Sequence, residues 1–200
     1  MIRREKDRLR RQIARWEAEQ PREALRESDE ALFRRFLALP QVRRADTLLL
    51  FWGMRAEPRT GYLVRTLAAQ GKTVGLPRCR PGGQMTFHPF RGREDLVRHR
   101  FGMLEPPADA PLLDPARAEA ALIPAMCYDR DGMRLGRGGG YYDRFLDRYP
   151  GLTVGLCRDA LLRDAVPVEG HDRGVDIVLT ETIALPFPPM ETENRFDPEQ

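Results

Sequence analysis

Five short apolar runs punctuate the chain, and the segments between them mostly repeat at helical spacing. Residues 47–52 (TLLLFW), 73–77 (TVGLP), 120–126 (AALIPAM), 153–157 (TVGLC) and 175–180 (VDIVLT) are short and densely apolar. That pattern predicts strands buried on both faces. Upstream, Ile2, Leu9, Ile13 and Trp16 fall on one stripe of residues 2–19 among arginines and glutamates, which predicts an amphipathic helix. Pro21 breaks it, and Leu25, Leu32, Phe33, Phe36 and Leu37 define a second helix. Residues 61–70 predict a third, closed by Gly71, and residues 141–146 again carry helical apolar spacing. Strands alternating with helices predict an α/β fold of three layers, α/β/α, with a largely parallel sheet covered by helices on both faces.

Turn-rich stretches fill the gaps. Pro81-Gly82-Gly83 opens a hairpin-like excursion carrying Met85, Phe87 and Phe90, and residues 91–115 are rich in proline, glycine and charge. Loops that long are usually functional or disordered, and here a covering segment is expected. Beyond Ala184 the chain is proline-rich and acidic. Residues 1–184 are therefore read as a single domain and 185–200 as a loose tail.

Composition narrows the class. With 42% hydrophobic residues, a mean hydropathy of −0.52 and no long apolar run, the chain is expected to be globular without a transmembrane helix. No apolar segment follows Met1-Ile2-Arg3-Arg4, so no secretory leader is expected. Cys79, Cys127 and Cys157 are odd in number, widely spaced and without a C-x-x-C, as suits reduced thiols in the cytoplasm. His88, His99 and His171 show no metal-ligand spacing. Net charge is +3, and of the 33 basic residues only Lys6 and Lys72 are lysines. Arginine's planar fork suits phosphates and carboxylates. A nucleic-acid binder would usually be more basic, and here acids interleave with the arginines, so neither nucleic acid nor membrane is an expected partner.

Residues 122–143 (LIPAMCYDRDGMRLGRGGGYYD) carry the chemistry. A strand leads through the turn Asp129-Arg130-Asp131-Gly132 to Gly136-Arg137-Gly138-Gly139-Gly140 and then a helix. Such a loop aims backbone N–H groups at one spot, suited to an anion and most often phosphate. The loop matches neither G-x-G-x-x-G nor the Walker pattern, and a bare triple glycine is equally well a ligand-free turn. Arg134 and Arg137 add guanidinium forks, and Asp143 adds a hard oxygen donor one turn away. Together these suggest a nucleotide–magnesium site.

The run Arg134-Leu135-Gly136-Arg137-Gly138-Gly139-Gly140-Tyr141-Tyr142-Asp143 closely resembles the signature of the 5-formyltetrahydrofolate cyclo-ligase family, also called methenyltetrahydrofolate synthetases. The resemblance extends from Lys6 to Glu181, and Lys6-Asp7-Arg8-Leu9-Arg10 matches the family's Lys-x-x-Leu-Arg pattern. It implies a three-layer enzyme that closes 5-formyltetrahydrofolate to 5,10-methenyltetrahydrofolate with ATP as co-substrate. It implies ATP contacts at Lys6, Arg10, Arg134, Leu135, Gly136, Arg137, Gly138, Gly139, Gly140, Tyr141 and Tyr142. Folate contacts are implied at Trp52, Glu57, Arg137, Gly138, Gly139, Gly140 and Tyr141. Arg137 and Tyr141 are implied as catalytic, and Mg²⁺ is implied at Asp143 and Asp176. Phe101-Gly102-Met103-Leu104-Glu105-Pro106 is a departed form of the family's Ile-Pro-Glu-Pro region, expected to cover the folate. A cytoplasmic monomer acting on small molecules is expected. Two other readings stay open: a nucleotide-binding enzyme of the same fold with another acceptor, and a basic protein using its N-terminal helix on RNA or membrane. Steep salt dependence would mark the last.

Overall fold

The structure is a computed structural model that describes residues 1–99 and 102–186. Phe101 and all but the first residues of the expected tail lie outside the described residues. In chain order the helices are α1 (Ile2–Glu19), α2 (Arg22–Ala38), α3 (Pro40–Arg44), α4 (Gly61–Ala69) and α5 (Tyr141–Leu146). The strands are β1 (Thr47–Leu49), β2 (Thr73–Cys79), β3 (Met85–Pro89), β4 (Val97–Arg98), β5 (Leu104–Glu105), β6 (Ala120–Ile123), β7 (Cys127–Tyr128), β8 (Arg134–Leu135), β9 (Leu152–Leu156), β10 (Ile177–Leu179) and β11 (Ala184–Pro186).

All five apolar runs become strands of one seven-stranded sheet, ordered β11-β10-β9-β6-β1-β2-β3. The pairs β10–β9, β9–β6, β6–β1 and β1–β2 are parallel, and only the two edges, β11 and β3, run antiparallel. The run at 120–126 stops pairing at Ile123, because Pro124 has no N–H for the ladder. Small hairpins, β4–β5 and β7–β8, stand outside the main sheet.

Alternate strand residues serve two separate cores, which is what makes three layers. Leu48, Leu50, Val74, Leu76, Ala120, Leu122 and Leu179 pack with Leu32, Phe33, Phe36, Val42, Leu63 and Leu67 of α2, α3 and α4. Leu49, Ala121, Ile123 and Val178 turn the other way, toward Ile13 of α1, Leu146 of α5 and Tyr149. A one-residue slip of β6 would exchange the two sets. Truncating Leu122, 1% exposed, to Ala would cost about 2–5 kcal/mol.

Strand order reverses between β1 and β6: after β1 the chain moves to β2 on one side, and β6 then pairs on the other. Open α/β sheets bind ligands beyond the carboxyl ends of the strands at such a reversal. His88 is consumed structurally: its Nδ1 faces the carbonyls of Ala110 and Pro111 at 3.0 and 2.9 Å, and its Nε2 meets Thr86 Oγ1 at 2.9 Å.

Candidate active site

A cleft of about 850 Å³ opens at that reversal. Its floor is the chain leaving β1 and β6, at Phe51-Trp52 and Pro124-Ala125. One wall is α1, which presents Arg3, Lys6 and Arg10 from a single helical face. The opposite wall is the 53–58 loop with Glu57, and the glycine loop spans the gap between them. Every expected ATP and folate residue lines this one cleft: Lys6, Arg10, Trp52, Glu57, Arg134, Leu135, Gly136, Arg137, Gly138, Gly139, Gly140, Tyr141 and Tyr142. Asp143 joins them.

The glycine loop is tied at both ends. Arg10 Nε donates to the Gly136 carbonyl at 2.9 Å, and Arg137 Nε donates to Glu57 Oε1 at 2.9 Å, with its Nη2 on the Arg55 carbonyl. Within the loop the left-handed positions are Gly138 (φ 93°) and Gly140 (φ 66°), on either side of Gly139. A side chain at either would be strained. Gly138, in addition, sits where a Cβ would lie 3.4 Å from the Arg10 guanidinium.

Glu57 is reached through a tight turn. Ala56, just before it, is the only non-glycine residue with positive φ (66°) among the described residues. Such a backbone costs on the order of 1–3 kcal/mol. Glu57 Oε2 accepts from Met54 N at 2.9 Å, which aims the buried carboxylate into the cleft. Burial pushes its pKa up, only partly countered by Arg137 and the Met54 amide.

The carboxylates sort differently from the sequence expectation. Asp143 Oδ1 accepts from Arg134 Nη2 at 2.6 Å and from Arg173 N at 3.2 Å, and its Oδ2 takes no hydrogen bond among the described residues. Asp176 does not converge with it. Its Oδ2 accepts from both the N–H and Oγ1 of Thr153, each at 2.7 Å, where β9 begins, at the opposite end of the sheet from the cleft. The pairing of Ile177 with Val154 places Asp176 there, so the expected Asp143–Asp176 pair is corrected.

Asp172, passed over as a ligand in the sequence, lines the cleft instead. Its Oδ2 takes Lys6 Nζ at 2.5 Å, and Lys6 also reaches Glu169 Oε2 at 3.1 Å. Burial alone would lower the Lys6 pKa, but the bonds to Asp172 and Glu169 outweigh it and leave it raised. Burial likewise opposes ionisation of Asp172, yet Lys6 and the Glu169 amide hold its pKa below the usual range. The one local cue was His171-Asp172 just ahead of a strand; its partner lies 166 residues away.

Asp143 and Asp172 are the hard oxygen donors that fit Mg²⁺. They stand on adjoining walls, joined through Arg173, which follows Asp172 in the chain and donates its N–H to Asp143. No group of three or more His, Cys, Asp or Glu gathers as a metal site among the described residues. Magnesium commonly takes one or two protein carboxylates and completes its shell with phosphates and water. Two buried polar atoms on the cleft wall also lack a partner among the described residues, Arg134 Nε and the Tyr142 hydroxyl. Burial, reinforced by the charge of Glu57, pushes the Tyr142 pKa well up, so it stays a donor.

A doubly wound α/β protein with cations and a glycine loop converging on one cleft defines an enzyme class built to hold an anionic substrate. The family model described as the 5-formyltetrahydrofolate cyclo-ligase family matches residues 2–181, and the chain belongs to that family. It is 33% identical over 152 residues to the 5-formyltetrahydrofolate cyclo-ligase of Escherichia coli (strain K12), covering 73% of this chain and 84% of that protein. It is also 33% identical over 165 residues to the Mycolicibacterium smegmatis enzyme of the same name, covering 79% and 84%. The fold matches the NMR structure of Aquifex aeolicus 5,10-methenyltetrahydrofolate synthetase with a TM-score of 0.81 and 23% identity, over 98% of this chain and 99% of that one.

Proposed function

We propose that this protein closes 5-formyltetrahydrofolate to 5,10-methenyltetrahydrofolate at the expense of ATP, releasing ADP and phosphate. The observation that carries the reading is the glycine loop held between two chemically distinct walls: cations of α1 on one side, Glu57 and Trp52 on the other. Membership of the family supports the reaction class.

The chemistry accounts for the residue types. A formamide oxygen leaves poorly, so it first attacks the γ-phosphorus of ATP, and ADP departs. N10 then attacks the iminium carbon of the resulting phosphate. The C–O bond breaks, phosphate leaves with the former formyl oxygen, and N10 loses its proton. Phosphoryl transfer of this kind rests on alignment and charge neutralisation rather than on a protein nucleophile. Lys6, Arg10 and the amides of residues 136–140 bind the triphosphate, with Arg134 and Tyr142 behind the loop. Trp52 and Glu57 bind the pterin, whose coplanar N–H groups a carboxylate accepts. Arg137 and Tyr141 lie between and act on the transferring phosphoryl group. Asp143 and Asp172 would hold Mg²⁺, which neutralises phosphate charge when bound.

Arg137 has a second part. It occupies Glu57 in this structure, so pterin arrival at Glu57 exchanges its partner and turns the guanidinium toward the phosphates. The free thiols of Cys79, Cys127 and Cys157 support a cytoplasmic setting. The test is to mix protein, Mg-ATP and 5-formyltetrahydrofolate and follow the near-ultraviolet methenyl chromophore. Formation that requires both ATP and Mg²⁺ is expected, and a flat trace with all three present overturns the reading.

A further inference from the structure

Besides its cations the cleft has an apolar stretch, made by Pro77 of β2, Met85 of β3, and Met103 and Leu104 at the start of β5. The last two arrive on the β4–β5 hairpin, which stands outside the main sheet with two residues in each strand. A hairpin that short does not hold its own place. Leu96 and Leu104 pack it against the core, but apolar packing is non-directional. Direction comes from the end of β2. Arg78 Nη1 donates to Glu105 Oε1 at 2.8 Å and to the Pro106 carbonyl at 2.6 Å, and Cys79 N donates to Glu105 Oε2 at 3.2 Å. Two consecutive residues of β2 therefore grip two consecutive residues of the segment that follows Met103 and Leu104. The Glu105 carboxylate at the centre of this grip is in a residue only 2% exposed.

Burying a carboxylate against a guanidinium is an expensive way to gain stability, since well-packed apolar residues of similar volume often do as well or better. What a charged, hydrogen-bonded pair adds is a fixed direction and register. Neither Arg78 nor Glu105 is among the residues that line the cleft, whereas Met103 and Leu104 are. The pair thus acts on the cleft only through the residues it holds. The reaction gives those residues a task. Once the formyl oxygen carries phosphate, its carbon is open to N10 and equally to water. Attack by water forms a new C–O bond, breaks the C–O bond to phosphate and releases a proton. The products are phosphate and the starting 5-formyl compound, with one ATP consumed and no ring closed. An apolar wall that excludes water suppresses this side reaction.

We propose that Arg78 and Glu105 are positioning residues that hold Met103 and Leu104 in the cleft wall, keeping water from the phosphorylated intermediate so that ATP cleavage stays coupled to ring closure. The proposal rests on the reaction assigned to the cleft.

The experiment counts ADP and methenyl product in the same samples, run in water labelled with heavy oxygen, and measures the label in the 5-formyltetrahydrofolate left over. The wild type should release one ADP per methenyl product and leave the folate unlabelled. In Glu105→Gln and in Arg78→Met the ratio of ADP to product should rise about fivefold or more, with label entering the recovered folate at the formyl oxygen. Arg78→Lys keeps a cation on Glu105 and should restore a ratio near that of the wild type. The Arg78→Met/Glu105→Gln double variant should be no worse than either single one, because the two side chains act as a unit. Met103→Ala leaves the pair intact and truncates a half-buried side chain of the wall, so it should fold and uncouple in the same way. It carries the test if the pair variants do not fold. A merely structural role would slow ADP and product together. A ratio that stays near one in Met103→Ala and in every folded pair variant therefore overturns the proposal and leaves the assigned reaction standing. A wild type that forms no methenyl product overturns both.

Discussion

Two arginine–carboxylate pairs in this molecule look alike by type and distance and differ in what each leaves unused. Asp29 and Arg158 meet at 2.7 Å and Asp143 and Arg134 at 2.6 Å. Around the first pair the bonding is closed. Asp29 Oδ1 takes Arg158 and Oδ2 takes the Arg59 amide, while Arg158 also donates to Ser28 Oγ at 2.6 Å and to the Leu25 carbonyl at 3.3 Å. Around the second it is open: Asp143 Oδ2 has no hydrogen bond among the described residues, and Arg134 Nε is buried without a partner. A native fold tends to satisfy its buried polar groups, so an unfinished set beside a cleft marks where something else is meant to bind. The closed pair clamps α2 to the chain leaving β9; the open pair belongs to the site.

That contrast is broken most forcefully at the closed pair. Asp29→Ala leaves Arg158 buried and uncompensated, and unfolding free energy should drop by about 3–5 kcal/mol. Turnover per folded molecule should hold. Denaturant melts beside active-site-normalised rates check this, and a large fall in turnover with stability intact would put Asp29 in the catalytic machinery.

Asp143→Asn should do the opposite. The shape survives but the charge that would hold magnesium is lost, so turnover should fall by about 10² or more, with a melting temperature close to wild type. Rates measured across a magnesium series decide it. Near-normal turnover at ordinary magnesium would remove Asp143 from the metal.

Glu57→Gln sharpens the comparison, because Glu57 is buried, paired and still part of the cleft. Losing a charged hydrogen-bond acceptor for the pterin should weaken folate binding about 10-fold to 100-fold and leave ATP binding near wild type. It also carries a pH signature. Burial raises the folded pKa above the ordinary 4.5, so between those values the folded chain holds a proton that the unfolded chain has released. Stability therefore falls as pH climbs from 4.5 through the raised value. Melts across that window should show this decline in the wild type and not in the Gln variant.

The smallest effect is expected at Asp176. Asp176→Asn weakens a carboxylate clasp on Thr153 and should cost about 1 kcal/mol, with turnover within about twofold of wild type by the error typical of surface changes. A loss comparable to that of Asp143→Asn would return Asp176 to the metal site.

Asp172 and Asp176 show most directly how far the sequence reaches. Apolar runs at 47–52, 73–77, 120–126, 153–157 and 175–180 were enough to place five parallel strands, because a strand buried on both faces must be apolar throughout. The stripe through Ile13 was enough to place α1, though not to show that Lys6 on the same helix turns inward. The glycine loop and its arginines were readable because their chemistry is contiguous. The antiparallel edges β3 and β11 and the β7–β8 hairpin left weaker traces, since strands this short have little periodicity to display. The two aspartates stand only four positions apart, ahead of one strand, and nothing local says which of them reaches the cleft. Tertiary structure does: the connection from β9 to β10 passes the cleft at Asp172, where Lys6 meets it, and reaches the far end of the sheet at Asp176, where Thr153 meets it. Periodicity encodes which face of an element is buried; which end of the sheet a residue reaches depends on strand order and register, and these are decided by contacts between distant parts of the chain.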